Sequence, residues 1–300
     1  MKKTIKKIYN ALPLKKELFS IAKSVYSPSK SIYQHLHFKG IISAKVTEKE
    51  SFKMQHYGYQ LENSIFWEGL YGKWEGVSLQ VWEKLSRQST TIIDIGANTG
   101  VYALISKTAR PAAQVFAIEP VKRVYEKLER NCELNNYDII TLEKAASDED
   151  GEAVIYDVGS EHLYTVAVNK DLSSPVQKTT PVTIKTIRLD TIIQQYQLNN
   201  IDLIKIDVET HEEAVLEGMG KFLMLYQPSL LIEILNDEVA RGVQKLINNL
   251  HYSIYYIDDI EGLKKVDVIK AEEHYNYLLL NTDKHSASLV SDLMYSPNHV

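Results

Sequence analysis

A chain of 300 residues, 44% of them apolar and 24% charged, has the composition of an ordinary globular protein and the length of one large domain or two modest ones. Its net charge of −5 argues against nucleic-acid binding by charge, and its single cysteine, Cys132, excludes an internal disulfide. No run of about 18 apolar residues is present, so we expect no membrane-spanning helix. We therefore expect a cytoplasmic protein that binds no nucleic acid.

Residues 1–45 form a basic leader whose charge differs from that of the rest of the chain. They carry ten lysines and one acid, Glu17, for a net charge of +9, which leaves −14 for the remainder. Within residues 1–35 the spacing of apolar residues predicts one or two amphipathic helices, broken near Pro13 and Pro28. We expect these helices to pack on the main domain. The alternative is a peripheral contact with the anionic inner surface of a membrane.

Residues 36–75 are rich in aromatic side chains and predict a strand-rich extension, followed by a helix over 77–87. Aromatic residues at such spacing mostly pack in cores, and stacking on a sugar is the alternative for Phe66, Trp67, Tyr71 and Trp74. The chain is therefore divided into a leader and extension over 1–75, a main domain over 76–285 and a tail over 286–300.

From residue 90 onward, apolar strand patterns alternate with helical patterns. The predicted strands lie at 91–95, 114–118, 139–146, 201–206, 229–235, 252–257 and 275–281, and the predicted helices at 99–109, 121–135, 211–225 and 238–250. This alternation predicts a Rossmann-like α/β fold with a mostly parallel seven-stranded sheet covered by helices on both faces. Short runs at 154–156, 163–168 and 182–187 predict an antiparallel insertion, and residues 161–164 within it are expected to close over the site.

The turn after the first predicted strand indicates a ligand site. Asp94 ends the strand and is followed by Gly96, Asn98 and Gly100, a Gly-x-x-x-Gly spacing. A dinucleotide site would show Gly-x-Gly-x-x-Gly, so an NAD(P)-dependent oxidoreductase ranks lower. A carboxylate at the strand end suits a cationic ligand such as S-adenosyl-L-methionine. Glu119, at the end of the second strand, can accept hydrogen bonds from a ribose diol in either kind of site.

Two sets of segments carry a resemblance to a known family. Residues 94–102, 117–120 and 128–135 resemble the cofactor-binding half of a class I methyltransferase, and residues 69–75, 189–191, 201–212 and 228–233 resemble the FkbM family. The resemblance implies that Asp94 faces the amino group of S-adenosyl-L-methionine and that Glu119 holds its ribose. It also implies the rest of the cofactor set, namely Gly96, Ala97, Asn98, Gly100 and Tyr102 towards the methionine end, Pro120 beside Glu119, Ala146 and Ser147 beside the adenine, and Asp207 facing the methyl group.

Three side chains after the fourth strand are the candidates for catalysis: Asp207, Glu209 and His211. Methyl transfer to a hydroxyl needs an aligned acceptor and a base, and the ordinary pKa of histidine suits His211 to that role, with Asp207 or Glu209 orienting it, taking the proton or binding acceptor hydroxyls. The spacing matches no zinc pattern, so no metal is expected. Glu233, at the end of the fifth strand, either contacts substrate or only ends the sheet edge.

The segment between these residues also admits a purely structural interpretation. Thr210 and Glu213 have the spacing of a capping box that opens a helix over 211–225. The resembled family usually has glycine where this chain has Thr210, and a threonine there narrows the mouth of the site or changes how a substrate enters.

Together these features predict an S-adenosyl-L-methionine-dependent methyltransferase that acts on a hydroxyl of a sugar, a glycan or another small molecule. The alternatives are a methyltransferase-like binding module without catalysis, and an NAD(P)-dependent oxidoreductase. Asp94, Gly96, Gly100 and Glu119 favour the enzyme over the binding module.

Overall fold

The computed structural model describes residues 14–157, 166–167 and 180–295. The described part of the chain begins with two helices and a hairpin, followed by two more helices. These elements are α1 (Lys15–Val25), α2 (Lys30–Tyr33), β1 (Gly40–Lys45), β2 (Ser51–His56), α3 (Gln60–Glu68) and α4 (Gly76–Ser86). The hairpin and α4 confirm the predicted strands and helix, but α3 occupies a stretch where strands were predicted.

Aromatic packing explains why the segment around α3 is rich in aromatic residues. The ring of Phe66 lies 4.7 Å from that of Phe38 and 5.1 Å from that of Trp67, and Phe19 of α1 packs against both Phe38 and Trp67. Tyr71 and Trp74 are partly buried against the same core. These side chains therefore pack in the core, as is usual for aromatic residues, and do not form an exposed surface on which a sugar could stack.

The remaining elements alternate as the sequence predicts. They are β3 (Thr91–Ile95), α5 (Val101–Ala109), β4 (Gln114–Ile118), α6 (Lys122–Asn135), β5 (Ile140–Leu142), β6 (Ala145–Ala146), β7 (Gly151–Asp157), β8 (Val166–Ala167), β9 (Thr180–Ile187), α7 (Leu189–Gln195), β10 (Leu203–Ile206), α8 (Glu212–Glu217), α9 (Lys221–Tyr226), β11 (Ser229–Glu233), α10 (Asp237–Ile247), β12 (Tyr252–Asp258), β13 (Gly262–Val266), β14 (Asn276–Asn281) and a 3₁₀ helix (Ala287–Leu293).

The main sheet has the strand order β13-β12-β14-β11-β10-β3-β4-β5. The five strands from β11 to β5 are parallel, and β14, β12 and β13 pair antiparallel at one edge. The predicted mostly parallel α/β sheet is confirmed, with β13 as an eighth strand. The apolar pattern does not predict β13, because Lys264 and Lys265 interrupt its apolar run.

Successive residues of the central strands point into two separate cores, one on each face of the sheet. Ile92 and Leu203 face the core formed with α4, α5, α6 and the β1–β2 hairpin. Ile93 and Ile204 face the core formed with α7, α8, α9 and α10. Both faces are therefore covered by helices, which is why the strand sequences are almost continuously apolar.

A second, four-stranded sheet follows the order β6-β9-β7-β8, with β7 antiparallel to both β8 and β9. In the described residues, this sheet confirms the predicted antiparallel insertion. Ala145 and Ala146 belong to it as β6, so the predicted strand at 139–146 is split into β5 in the main sheet and β6 in the second sheet. Residues 161–164, expected to close over the site, lie outside the described residues.

The predicted helix over 211–225 is two short helices, α8 and α9, separated at Gly218–Gly220. Gly220 adopts a φ of 54°, a conformation that ends the helical path and that glycine accepts without strain. Among the described residues, no helix is long and apolar enough to cross a bilayer.

Candidate active site

The turn between β3 and α5 lies directly against the end of β10. The amides of Gly96 and Ala97 both donate to the carbonyl of Ile118, at 3.0 Å, which fixes the turn beside β4. Gly96 has a φ of 74°, and a Cβ built on it would lie 1.8 Å from the carbonyl oxygen of Asp207. Glycine is thus required by both the backbone conformation and this close approach.

Asp94 and Asn98 present two buried acceptor oxygens in this turn. Asp94 is 1% exposed, and its Oδ2 accepts from the Ala103 amide at 3.0 Å. Within the described part of the chain, Asp94 Oδ1 and Asn98 Oδ1 are buried and have no hydrogen-bond partner. Burial raises the pKa of Asp94 to about 7. Because unpaired buried acceptors are costly, the turn fits a ligand with a positively charged donor, such as the ammonium of S-adenosyl-L-methionine.

Glu119 follows β4 directly and forms a hydrogen bond with the same turn. Its Oε2 accepts from the Asn98 amide at 3.0 Å, and its Oε1 accepts from the Val121 amide at 2.9 Å. Burial raises its pKa to about 7, although both hydrogen bonds favour the ionised form. Each carboxylate oxygen keeps a free lone pair, so Glu119 can still receive a ribose hydroxyl. Pro120 follows it directly in the chain.

Lys205 and Glu75 are two site residues that the sequence analysis missed. Lys205 of β10 is 3% exposed, and its Nζ lies 2.6 Å from Asp207 Oδ2 and 4.6 Å from the centroid of the Tyr102 ring. The Tyr102 hydroxyl donates to Glu75 Oε2, just before α4. Tyr102, predicted as a cofactor residue, is thus buried between Lys205 and Glu75, and it links α5 to the end of the fourth parallel strand.

The charges in this group act on one another. Burial alone would lower the pKa of Lys205, but the charges of Asp207, Glu75 and Asp94 raise it above its usual range. Burial raises the pKa of Glu75 to about 7, against the opposing effect of Lys205. A lysine inside an apolar strand pattern is the signal that could have identified this site, because a buried lysine requires nearby carboxylates.

The backbone after β10 is strained at two successive residues. Glu209 and Thr210 have φ values of 54° and 79°, in the left-handed region. The predicted capping box of Thr210 and Glu213 is wrong: His211 is the residue that precedes α8, and no side chain caps it. Instead, Glu212 Oε1 accepts from the amides of Val208 and Thr210, at 3.2 and 3.3 Å.

The side chain of His211 forms a hydrogen bond with Ser147, which follows β6 of the second sheet. Its Nε2 lies 3.0 Å from the hydroxyl of Ser147, so its ring is oriented by Ser147 rather than by Asp207 or Glu209. Burial lowers the pKa of His211. Ser147 follows the buried Ala146 at the end of β6, and its amide donates to the carbonyl of Ile187 at 3.0 Å. The two residues predicted to border the adenine therefore lie beside a predicted catalytic residue.

Glu209 and Glu233 complete the group of acids around Asp207. Burial raises the pKa of Glu209 to about 7, and the charge of Asp207 adds to this. Burial and the charges of Asp207, Glu209 and Glu75 raise the pKa of Glu233, which ends β11. Across the described residues, no three His, Cys, Asp or Glu side chains are grouped so as to hold a metal ion.

Candidate ligand residues thus lie at the ends of the first, second and fourth parallel strands, with a glycine turn after the first and an acid at the end of each. This arrangement, on a mostly parallel sheet covered on both faces, defines a Rossmann-like protein of the class I methyltransferase type. A family model described as the methyltransferase FkbM domain matches residues 94–270. The chain belongs to this family, which confirms the predicted family and its class of cofactor, S-adenosyl-L-methionine.

Two curated relatives are named for sugar or hydroxyl chemistry. The hexuronic acid methyltransferase AglP of Haloferax volcanii is 28% identical over 168 residues, which cover 56% of this chain and 65% of that protein. The 2-O-methyltransferase NoeI of Sinorhizobium fredii is 28% identical over 180 residues, covering 55% of this chain and 72% of that protein. The match thus spans less than two thirds of the Haloferax protein. A crystal structure of methyltransferase FkbM from Methylobacillus flagellatus is 16% identical, covering 64% of this chain and 44% of that one, with a TM-score of 0.39.

Proposed function

We propose that this chain is an S-adenosyl-L-methionine-dependent O-methyltransferase whose acceptor is a hydroxyl of a sugar, a glycan or another small molecule. The observation that carries the proposal is the glycine turn packed against Asp207, with the buried, unpartnered oxygens of Asp94 and Asn98. The names of the Haloferax and Sinorhizobium relatives support a hydroxyl acceptor on a sugar. No feature of the turn favours a dinucleotide or a binding module without catalysis.

The residues divide into a part that holds the cofactor and a part that handles the acceptor. When bound, the cofactor supplies a methyl group on a positively charged sulfur that leaves as a neutral thioether. Asp94 and Asn98 would hold its amino group, Glu119 its ribose, and Ala146 with Ser147 would border its adenine. Asp207, whose Oδ2 lies 2.6 Å from Lys205 Nζ, would orient the acceptor hydroxyl.

Glu209 is our first candidate for the base, because burial raises its pKa to about 7, a value matched to proton transfer near neutral pH. His211, whose pKa is lowered by burial, is the second candidate. With the acceptor that turns over best in a glycoside panel, we expect Glu209→Gln to lower kcat by about 100- to 10,000-fold. If kcat fell by that factor in His211→Gln but not in Glu209→Gln, His211 would be the base instead.

The cofactor assignment is tested by calorimetric titration of S-adenosyl-L-homocysteine. Because a hydrogen bond to a charged group is worth about 1.5–3 kcal/mol, we expect Asp94→Asn and Glu119→Gln each to weaken binding by about ten- to a hundredfold. Glu238→Gln, an exposed carboxyl at the start of α10, is the matched control and should bind like the parent. A folded parent that binds none of the ligand would overturn the proposed function.

We also propose that the basic leader contacts an anionic membrane surface. Helix α1 packs on the core through Phe19, while the opposite face carries an exposed apolar stripe at helical spacing. The stripe consists of Leu14, Leu18, Ile21 and Val25, which are 68%, 56%, 67% and 83% exposed. With the net charge of +9 on residues 1–45, this face has the character of an interfacial helix.

Sedimentation with vesicles tests this contact. We expect binding to vesicles of equal parts phosphatidylglycerol and phosphatidylcholine, weaker binding in high salt, and little binding to phosphatidylcholine alone. The double variant Leu18→Glu, Ile21→Glu should lose about tenfold or more in affinity, because two apolar side chains no longer insert. Ile260→Glu, at an apolar residue 84% exposed on the β12–β13 turn, is the control. Equal binding by both variants would contradict the proposal.

A further inference from the structure

Three segments bring four carboxylates near a single buried lysine or its partner Asp207 at the candidate active site. Glu75 precedes α4, Asp207 and Glu209 follow β10, and Glu233 ends β11. Lys205 lies among them, 2.6 Å from Asp207 and coupled through its charge to Glu75 and Glu233. One ammonium cannot balance four carboxylates, so the site is short of positive charge.

No other described element supplies that charge. The further charged and titratable groups that act on this set are acidic or neutral: Asp94 on β3, Tyr102 on α5, Glu119 on β4, Glu212 on α8 and Asp259 between β12 and β13. Arg123, at the start of α6, acts on Glu119. The deficit of positive charge is therefore a property of the group around Lys205. His211, two residues after Glu209, adds a positive charge only when it is protonated, and burial lowers its pKa.

A second, independent observation indicates that a cationic ligand belongs here. Asp94 is 99% buried, its Oδ1 has no partner among the described residues, and its charge is coupled to those of Lys205 and Asp207. The glycine turn that carries Asp94 contacts the backbone of Asp207. The unpaired acceptor and the group of acids thus face one ligand site.

We infer that Glu75, Asp207, Glu209 and Glu233 recognise the positive charge of the methyl donor, and that loss of this charge on methyl transfer favours release of the product. The inference rests on the cofactor assignment proposed above. In the transfer, the acceptor oxygen forms a bond to the methyl carbon and gives its proton to the base. The sulfur keeps the electron pair of the broken bond, so the pocket then faces a neutral thioether instead of a sulfonium.

The carboxyls should exchange protons as this charge arrives and leaves. The pKa values of Glu75 and Glu209 are about 7, and that of Glu233 is raised further, so the group holds protons at neutral pH. A positive charge within several ångströms lowers the pKa of a carboxyl by about 1–3 units. Both ligands carry the ammonium that faces Asp94, but only S-adenosyl-L-methionine carries the sulfonium. It should therefore release about one proton more per bound molecule near pH 7 than S-adenosyl-L-homocysteine does.

The experiment is calorimetric titration of both ligands at pH 7, in buffers of different ionisation enthalpy, which counts the protons released. From pH 6 to pH 7 we expect the affinity for S-adenosyl-L-methionine to rise about tenfold more than the affinity for S-adenosyl-L-homocysteine, which corresponds to one additional proton released. Equal proton counts for the two ligands, or equal dependence of their affinities on pH, would overturn the inference and leave the proposed function intact.

Variants assign the protons to this group. Glu233→Gln and Glu75→Gln should each release fewer protons and lose affinity for S-adenosyl-L-methionine, with little change for S-adenosyl-L-homocysteine. Glu238→Gln should behave as the parent, and thermal melting checks that all three are folded. Unchanged proton release in both pocket variants would overturn the inference. Failure of a folded parent to bind either ligand would overturn the proposed function and this inference together.

Discussion

Thr210 holds a backbone conformation that β-branched residues rarely adopt. Its φ is 79°, and it follows Glu209 at 54°, so two successive residues are left-handed. Such strain costs about 1–3 kcal/mol at a residue with a Cβ, which accounts for glycine at this position in the resembled family. The difference from the family is thus a strained residue beside Asp207.

We expect Thr210→Gly to raise the free energy of unfolding by about 1 kcal/mol, because the relief of strain outweighs the extra flexibility of the unfolded chain. Urea denaturation measures the change. Thr210→Ala, which keeps the Cβ and removes the branch, is the control and should gain less. A less stable glycine variant would show that contacts of the threonine side chain outweigh its backbone strain.

Gly96 and Gly69 show two different reasons for a glycine. At Gly69 it is the backbone conformation alone, and at Gly96 it is also the close approach of another atom. Both have positive φ, at 74° and 87°, but a Cβ on Gly96 would meet the Asp207 carbonyl oxygen at 1.8 Å, whereas a Cβ on Gly69 meets nothing within 4 Å. We expect Gly69→Ala to cost about 1–3 kcal/mol from backbone strain alone, because its φ of 87° and ψ of 174° lie in a region that is almost restricted to glycine. Gly96→Ala should cost distinctly more and should abolish binding of S-adenosyl-L-homocysteine, as measured by thermal melting and calorimetry. Similar costs for both variants would contradict this view of the turn.

Helix α6 joins the N-terminal hairpin to the cofactor turn through Asn131. Its Oδ1 accepts from the Gln55 amide of β2 at 2.8 Å, and its Nδ2 donates to the Thr99 carbonyl at 2.8 Å. Asn135, one turn later, bonds both the amide and the carbonyl of Lys53 at the exposed edge of β2. Both asparagines thus bond α6 to the extension, and Asn131 also bonds it to the turn.

We expect Asn131→Ala to lower the free energy of unfolding by about 2–4 kcal/mol, because it leaves a buried amide and a buried carbonyl unpaired. It should also weaken binding of S-adenosyl-L-homocysteine, since Thr99 belongs to the cofactor turn. Asn135→Ala should cost about 1 kcal/mol or less, because water can replace its bonds at the exposed edge. Urea denaturation measures the free energy of unfolding of both variants. Equal losses would show that burial does not determine how much each asparagine contributes to stability.

The elements that the sequence predicted are those whose pattern is set locally. Continuous apolar runs defined β3, β4 and β10, and Asp94 and Glu119 were found because ligand residues follow strand ends. Helix α7 was missed because Thr191, Ile192 and Ile193 give it a strand-like composition, and burial of its apolar side chains stabilises it instead.

The remaining site residues depend on contacts between distant segments. Glu75 reaches the site only because its hydrogen bond to Tyr102 brings the start of α4 beside β10, and no local pattern predicts this. The orientation of His211 by Ser147 depends in the same way on the second sheet. The candidate ligand residues could be proposed from the ends of strands, whereas the buried charges around them could not.

At the scale of the whole molecule, buried ionisable groups make stability depend on pH in two opposing ways. Burial raises the pKa of five carboxyls to about 7: Glu75, Asp94, Glu119, Glu209 and Glu212. Folding therefore retains protons on these groups that the unfolded chain loses near pH 4, and the free energy of unfolding falls as pH rises from about 4 through 7. Burial lowers the pKa of His56 and His285 to about 4, so their contribution is complete above about pH 6.5 and is lost as pH falls towards 4.

Between pH 6.5 and 8 the five carboxyls outweigh the histidines, whose unfolded forms have lost half or more of their protons, so we expect the Tm of the cofactor-free protein to fall across this window. For a chain of this size, each kcal/mol lost lowers Tm by about 2–4 °C. Glu212→Gln should make the fall smaller, because Glu212 is fully buried with Oε2 unpaired among the described residues, and the amide removes its ionisation. Glu238→Gln should leave the profile unchanged. A Tm that stays constant or rises from pH 6.5 to 8 would show that these carboxyls ionise in the folded protein as readily as in the unfolded chain.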